Sequence, residues 1–202
     1  MSKIVAISGT SRPGNYTSRA IRVVSETLRE KGADVIEFDA CDLNLNFPGF
    51  PITEDALKLR SVVKESIGVV LGTPEYHGTF CAMTKLIIEN LDFPSVLAGK
   101  PVALVGVASG RIGAIKSLEQ LKGVCSHVGA IVIPGAVSIA GVHNVFSDSG
   151  VVDTAAESAL QGVATGMLGF LKEYVCPKYV LEHEGLEDSV RGEGLPAWVA
   201  SL

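Results

Sequence analysis

Apolar residues follow two patterns along this chain, and the patterns take turns. Short unbroken runs occur at Lys3–Ser8 (KIVAIS), Val35–Phe38, Ile67–Gly72, Pro101–Val107 and Ala130–Ile133. A strand with no polar alternation has both faces covered, which is the mark of a parallel sheet. Between the runs lie longer segments with apolar positions three and four residues apart. Thr17–Lys31 places Ala20, Ile21, Val24 and Leu28 on one face and stops at Gly32. Glu54–Ser66 carries Ala56, Leu57, Leu59, Val62 and Val63, and the patterns at Cys81–Leu91 and Ile112–Val124 are also helical. Val151–Val175 reads as a last long helix, with Ala155, Ala159, Leu160, Val163, Met167, Phe170 and Leu171 as its apolar positions. Asp39–Thr53 and Thr73–Phe80 read as loops, being rich in Asn, Pro or Gly.

Strands alternating with helices predict an α/β fold with right-handed crossovers. The expected architecture is a flavodoxin-like three-layer sandwich, with a five-stranded parallel sheet in the order 2-1-3-4-5. A Rossmann order would require a sixth strand, and the pattern supplies none. At 202 residues the length suits one domain, expected over 1–176, with 177–202 as an acidic tail. From Leu181 onward, Glu182, Glu184, Glu187, Asp188 and Glu193 face only Arg191, so this stretch holds most of the net charge of −5. The body is nearly neutral. It lacks the basic excess of a duplex-binding module, and no nucleic-acid partner is expected.

Two further classes fall away on similar grounds. Gly123–Ser147 contains no Asp, Glu, Lys or Arg and is long enough to span a bilayer. It is broken, however, by His127, Pro134, His143, Asn144 and several glycines, so it reads as a strand with loops and no membrane span is expected. Cys41, Cys81, Cys125 and Cys176 lie far apart with no metal-ligand spacing. Reduced structural thiols, a cytoplasmic location and no metal site follow as expectations. The opening MSKIVAISG lacks the apolar core of a signal peptide. His127 and His143 have no partner cluster and read as structural histidines.

In sheets of this order, ligands bind beyond the carboxyl ends of the strands, near the switch point between strands 1 and 3. Three loops stand there. The first, Gly9–Ser18, combines Thr10, Ser11, Asn15, Thr17 and Ser18 with Arg12 at the entry to a helix. Free N–H groups and a positive dipole end make that turn suited to one phosphate monoester. The loop is neither a Walker A sequence nor G-x-G-x-x-G. The same residues also suit a simple capped helix start, with Asn15 or Thr17 as the cap. The second loop, Gly72–Phe80, sets Pro74, Glu75, Tyr76 and His77 in a Pro/Gly-framed turn that suits either a flat ligand or a rigid connection. The third, Ala108–Gly113, offers Ser109, Gly110 and Arg111, for close backbone approach to a ligand or for a tight turn.

Taken together, GTSRPGNYTSR, TPEYHGTF and ASGRIG resemble the loops of the NADPH-dependent FMN reductase family of flavodoxin-like proteins. KLIIENLDF at Lys85–Phe93 is similar to the helix that follows the family's second loop. The resemblance spans about Lys3 to Ile139. It implies non-covalent FMN and NADPH (or NADH), in a ping-pong cycle that ends on a small acceptor such as a quinone, flavin, azo compound or metal oxyanion. Carried over by position, Thr10, Arg12, Asn15, Tyr16 and Thr17 would cradle the 5′-phosphate. Pro74, Glu75, Tyr76 and His77 would line the isoalloxazine, and Ser109, Gly110 and Arg111 would close its other edge. No side chain is required as a nucleophile or acid–base catalyst. A homodimer or homotetramer is implied, with Cys81–Leu91 expected at the interface. A non-catalytic flavodoxin-type electron carrier is the alternative. A phosphate-monoester- or nucleotide-binding protein without flavin, such as a glycosyl- or phosphoribosyl-transferring α/β enzyme, stands behind it.

Overall fold

A computed structural model describes residues 3–148 and 150–177. The elements run β1 (Lys3–Ser8), α1 (Tyr16–Glu30), β2 (Asp34–Asp39), α2 (Glu54–Glu65), β3 (Ser66–Tyr76), β4 (Thr79–Phe80), α3 (Ala82–Glu89) and β5 (Pro101–Val107). They continue as α4 (Ile115–His127), β6 (Ile131–Val132), β7 (Val137–Ile139), the short α5 (Val142–Val145), β8 (Phe146–Ser147), β9 (Gly150–Val151) and α6 (Thr154–Phe170).

The central sheet is ordered β2-β1-β3-β5-β6, and these neighbours pair in parallel. With the short β4 and β7 set aside, this is the expected 2-1-3-4-5 arrangement, in a flavodoxin-like fold. Successive strand residues point to opposite sides, which sorts the apolar runs into two cores. Ile4, Ala6, Val70, Ala103 and Val105 meet Ile21, Val24 and Leu28 of α1 and Leu160, Val163 and Met167 of α6. Val5, Ile7, Val69, Leu71, Val102 and Leu104 meet Leu59 and Val63 of α2, Ile87 of α3, and Leu118 and Leu121 of α4. Each such side chain contributes roughly 1.5–3 kcal/mol by leaving water, and this two-sided burial holds the β-strand ends, and so the loops, at fixed spacing.

Several boundaries differ from the sequence expectation. The third strand does not stop at Gly72: β3 runs on to Tyr76 and folds back through a two-residue turn onto β4. The fifth strand is split. β6 pairs with the start of β5 and β7 with its end, while Pro134, which has no N–H to donate, and Gly135 occupy the gap. Helix α4 begins at Ile115 rather than Ile112, because Gly110–Gly113 close a turn first (Gly113 N–H to Gly110 O, 3.2 Å). α6 begins at Thr154, where the Asp153 carboxylate accepts the Ala156 N–H at 2.9 Å. Val151, expected in that helix, instead pairs with Phe146 in the β8–β9 hairpin. The expected acidic tail, apart from Pro177, lies outside the described residues.

Candidate active site

Beyond the carboxyl ends of β1, β3 and β5 opens a cleft of about 680 Å³, within the range of small-molecule sites. It is lined by Arg12, Asn15, Tyr16 and Thr17 of the first loop, by Pro74, Glu75, Tyr76 and His77 of the second, and by Ser109, Gly110 and Arg111 of the third. Eleven of the twelve sequence-derived site residues therefore meet in one place. Thr10 does not line it. It is buried beneath the first loop, where its hydroxyl oxygen accepts the Arg12 N–H at 3.3 Å.

The first wall starts where Gly9 passes β3. A Cβ on Gly9 would lie 2.5 Å from Thr84 Oγ1 and 2.6 Å from Gly72 O, so only glycine fits. Its N–H donates to Gly72 O at 2.8 Å, and its carbonyl accepts from the Thr84 hydroxyl at 2.7 Å and from the buried Cys81 thiol at 2.8 Å. Asn15 is the N-cap of α1. Its Oδ1 accepts the Ser18 N–H at 2.7 Å and its Nδ2 donates to Arg12 O at 2.8 Å, so its side chain is used in building the turn. Capping leaves the Tyr16 and Thr17 N–H groups without an intrahelical partner. Thr17 is 1% exposed, and its Oγ1 has no hydrogen-bond partner. Arg12 is exposed and forms no ion pair among the described residues.

Cys41, which the sequence reading did not place near the site, closes the back of this wall. Its thiol lies 3.5 Å from Thr10 O and 3.3 Å from Arg12 O. Partial burial, reinforced by the Asp39 carboxylate, pushes it up to about 11 from an ordinary 9.0, so it is a neutral donor at physiological pH.

The second wall is a tight hairpin. Tyr76 pairs with Thr79, and the two residues between, His77 and Gly78, have φ of 52° and 76°. Positive φ at both central positions is the signature of the turn that matches strand twist, and Gly78 adopts it without strain. The Glu75 carboxylate accepts the Ser117 N–H at 3.1 Å, which caps the first turn of α4. Gln120 of the same helix accepts from the Thr79 hydroxyl at 2.5 Å and donates to Gly78 O at 3.2 Å. Glu75 thus serves as a brace for the hairpin.

The third loop is held from behind. Ala108 N–H donates to Ile139 O, Val142 N–H to Ala108 O, and Gly141 N–H to Gly110 O. This brings α5 to the cleft, where Val142 and His143 complete the lining. Neither was singled out from sequence as a site residue. They sit in a charge-free stretch with no motif, and only the β5–β7 pairing carries them there. His143 Nδ1 lies 3.1 Å from Tyr16 Oη, and the rings meet edge to face with centroids 5.1 Å apart.

These residues fit FMN. A buried hydroxyl without a partner, open helix-start N–H groups and an unpaired arginine form an anion cradle at one end. Pro74, Tyr76 and His77 on one side, with Ser109, Gly110 and Arg111 on the other, line the rest. Among the described residues no cluster of three or more His, Cys, Asp or Glu could hold a metal ion, and no helix is long and apolar enough to cross a membrane.

The sequence matches the model of the NADPH-dependent FMN reductase family over residues 2–144, and the chain belongs to that family. It is 35% identical over 150 residues to an NADPH azoreductase of Bacillus sp. (strain OY1-2), covering 70% of this chain and 78% of that one. Among solved structures it is similar to FerB, a flavoenzyme NAD(P)H:(acceptor) oxidoreductase of Paracoccus denitrificans. The TM-score is 0.69 at 21% identity, over 86% of this chain and 99% of that one. A flavodoxin from the domain Archaea shares the fold, with a TM-score of 0.57 at 18% identity over 83% of this chain and 99% of that one. The protein is an FMN-dependent NAD(P)H oxidoreductase acting on small acceptors.

Proposed function

We propose that the three-loop cleft is where FMN binds, and that the family's reaction takes place at its mouth. Bound FMN supplies the hydride chemistry, and the protein supplies position and charge. One observation carries this reading: the Thr17 hydroxyl, buried without a partner beside open N–H groups and Arg12. A buried polar group left unpaired costs about 1–3 kcal/mol, and a phosphate oxygen would satisfy it. Arg12, with the Tyr16 and Thr17 N–H groups, meets the remaining phosphate charge. Asn15 and Thr10 act indirectly by shaping the turn. Pro74, Tyr76 and His77 face the ring, braced by Glu75. Ser109, Gly110 and Arg111 form the far edge.

The acceptor is proposed to be a small planar compound of the azo, quinone or flavin type. Similarity to an azoreductase supports this, as do the exposed apolar surfaces of Tyr76 and Ile112 in the cleft lining. The test is reconstitution of the full chain with FMN, followed by oxidation of NADPH or NADH with an azo dye or a quinone. Tight FMN binding without NAD(P)H oxidation would instead mean a flavodoxin-type carrier.

A homo-oligomer is part of the proposal, but not through α3. That helix turns Leu86, Ile87 and Ile88 into the core, and only Ala82 and Glu89 are exposed. Exposed apolar surface gathers instead at Phe47, Phe50 and Ile52 and at Phe93. The two loops are joined by the Asn90 Nδ2 to Asn46 O bond of 2.9 Å. Sedimentation of the wild type against Phe47→Ser and Phe93→Ser tests this surface. A cytoplasmic location is proposed on the free thiols of all four cysteines.

A further inference from the structure

His143 is the one titratable group of the cleft that none of the three loops supplies. It lines the cavity from α5, and its Nδ1 is occupied by Tyr16 Oη at 3.1 Å. Tyr16 is in turn fixed on its other sides. The Arg19 guanidinium lies 5.3 Å from the ring centroid and donates to Ser147 O at 3.0 Å, and Phe146 packs 5.9 Å away. With Tyr16 donating its hydroxyl proton to Nδ1, the imidazole proton sits on Nε2. That nitrogen has no partner among the described residues, and no carboxylate is ion-paired with the ring there. Tyr16 is the first residue of α1, and His143 lines the same cleft as Arg12 and Thr17.

We infer that His143 is a phosphate-recognition residue of this site, oriented by Tyr16, and that it donates through Nε2 to a phosphate oxygen of a bound nucleotide. The inference rests on the proposed FMN cleft and adds a fourth segment to it. Phosphate reaches the cleft from two sources, the 5′-phosphate of FMN and the 2′-phosphate that NADPH has and NADH lacks, and one experiment separates them.

Apoprotein of the full chain is titrated with FMN and, separately, with riboflavin, which lacks the phosphate, by flavin fluorescence. His143→Ala is expected to raise the FMN Kd about tenfold, the range of one hydrogen bond to a charged group, and to leave the riboflavin Kd within about twofold. His143→Gln, whose amide presents a donor at similar reach, should recover most of the loss. Tyr16→Phe, which frees the ring to rotate, should produce a partial loss of FMN affinity, about threefold. If NADPH is the source, FMN binding stays unchanged, while the KM for NADPH rises about tenfold and that for NADH does not.

Equal weakening of FMN and riboflavin, or no change in any of these quantities, overturns the inference. His143→Gln decides the matter should His143→Ala fail to fold. A wild-type chain that binds neither flavin would overturn the cleft reading itself, a result distinct from any of these.

Discussion

The two walls of the cleft next to β3 are built on opposite rules. The first, Gly9–Ser18, leaves donors open: the Thr17 hydroxyl has no partner and Arg12 no counter-charge among the described residues. The second, Thr73–Phe80, has the Glu75 and Thr79 side chains and the Gly78 carbonyl engaged. Glu75 takes the Ser117 N–H, and Gln120 holds both Thr79 and Gly78. Buried groups are ordinarily paired, and on the proposed reading the wall that breaks the rule is the one that takes the phosphate. The other wall holds its ring-facing residues, Pro74, Tyr76 and His77, in place through Glu75 and Gln120. The same type of loop, in the same sheet, divides into a binding part and a holding part according to where its hydrogen bonds end.

The largest expected effect falls where the walls join. Gly9→Ala puts a Cβ against the Gly72 carbonyl and the Thr84 hydroxyl, an overpacking cost of about 3 kcal/mol. Thermal unfolding should show a fall in Tm of roughly 8 °C for a chain of this size. A Tm that does not move would mean the loop can retreat from β3.

Next comes the open wall. Thr17→Val keeps the shape and removes the hydroxyl, so FMN affinity should fall about tenfold while the apoprotein loses no stability. Flavin titration and urea unfolding of the same variant test both halves. Lower stability with unchanged affinity would reverse the assignment of the two walls.

The holding wall should show the inverse. Glu75→Ala removes the cap on α4 and is expected to cost about 1 kcal/mol in urea unfolding, with FMN affinity changed less than about threefold. If affinity fell as far as in Thr17→Val, Glu75 would be a ligand-binding group and the contrast would be lost.

The smallest effect is at Cys41. Its folded-state value of about 11 stands above its ordinary 9.0, so the thiol is favoured by the fold. Its contribution is complete below pH 9 and is lost as pH rises toward 11. Reaction with a disulfide reagent should be slow at pH 8, although Cys41 is the only exposed cysteine of the four, and should accelerate only toward pH 11. Fast reaction at pH 8 would mean the thiol is not held against Thr10 and Arg12.

Much of this molecule was legible in the order of its residues. Unbroken apolar runs at Lys3–Ser8 and Pro101–Val107 gave buried parallel strands, and Asn15 with Thr17 and Ser18 marked the capped start of a helix. These are local properties, readable from neighbours a few positions apart. The hairpin at His77–Gly78 was partly legible, since Gly78 after a β run is a turn signal, but the continuation of β3 through Pro74 was hidden by the proline. The split at Pro134–Gly135 was hidden for the opposite reason: β7 becomes a strand only by pairing with β5.

Sequence alone fixed which segments form the layers and which three loops crown them, because burial on both faces demands unbroken apolar runs whatever the neighbours are. Tertiary structure alone decided which polar groups end up paired. Glu75 became a brace, Asn15 a cap and Thr10 a support. Cys41 and His143 meet the first loop at Asn15 and Tyr16, 26 and 127 residues away in the chain. Hydrogen-bond partners separated this far in the chain are chosen by strand order and helix packing, and the spacing of residues carries no record of that choice.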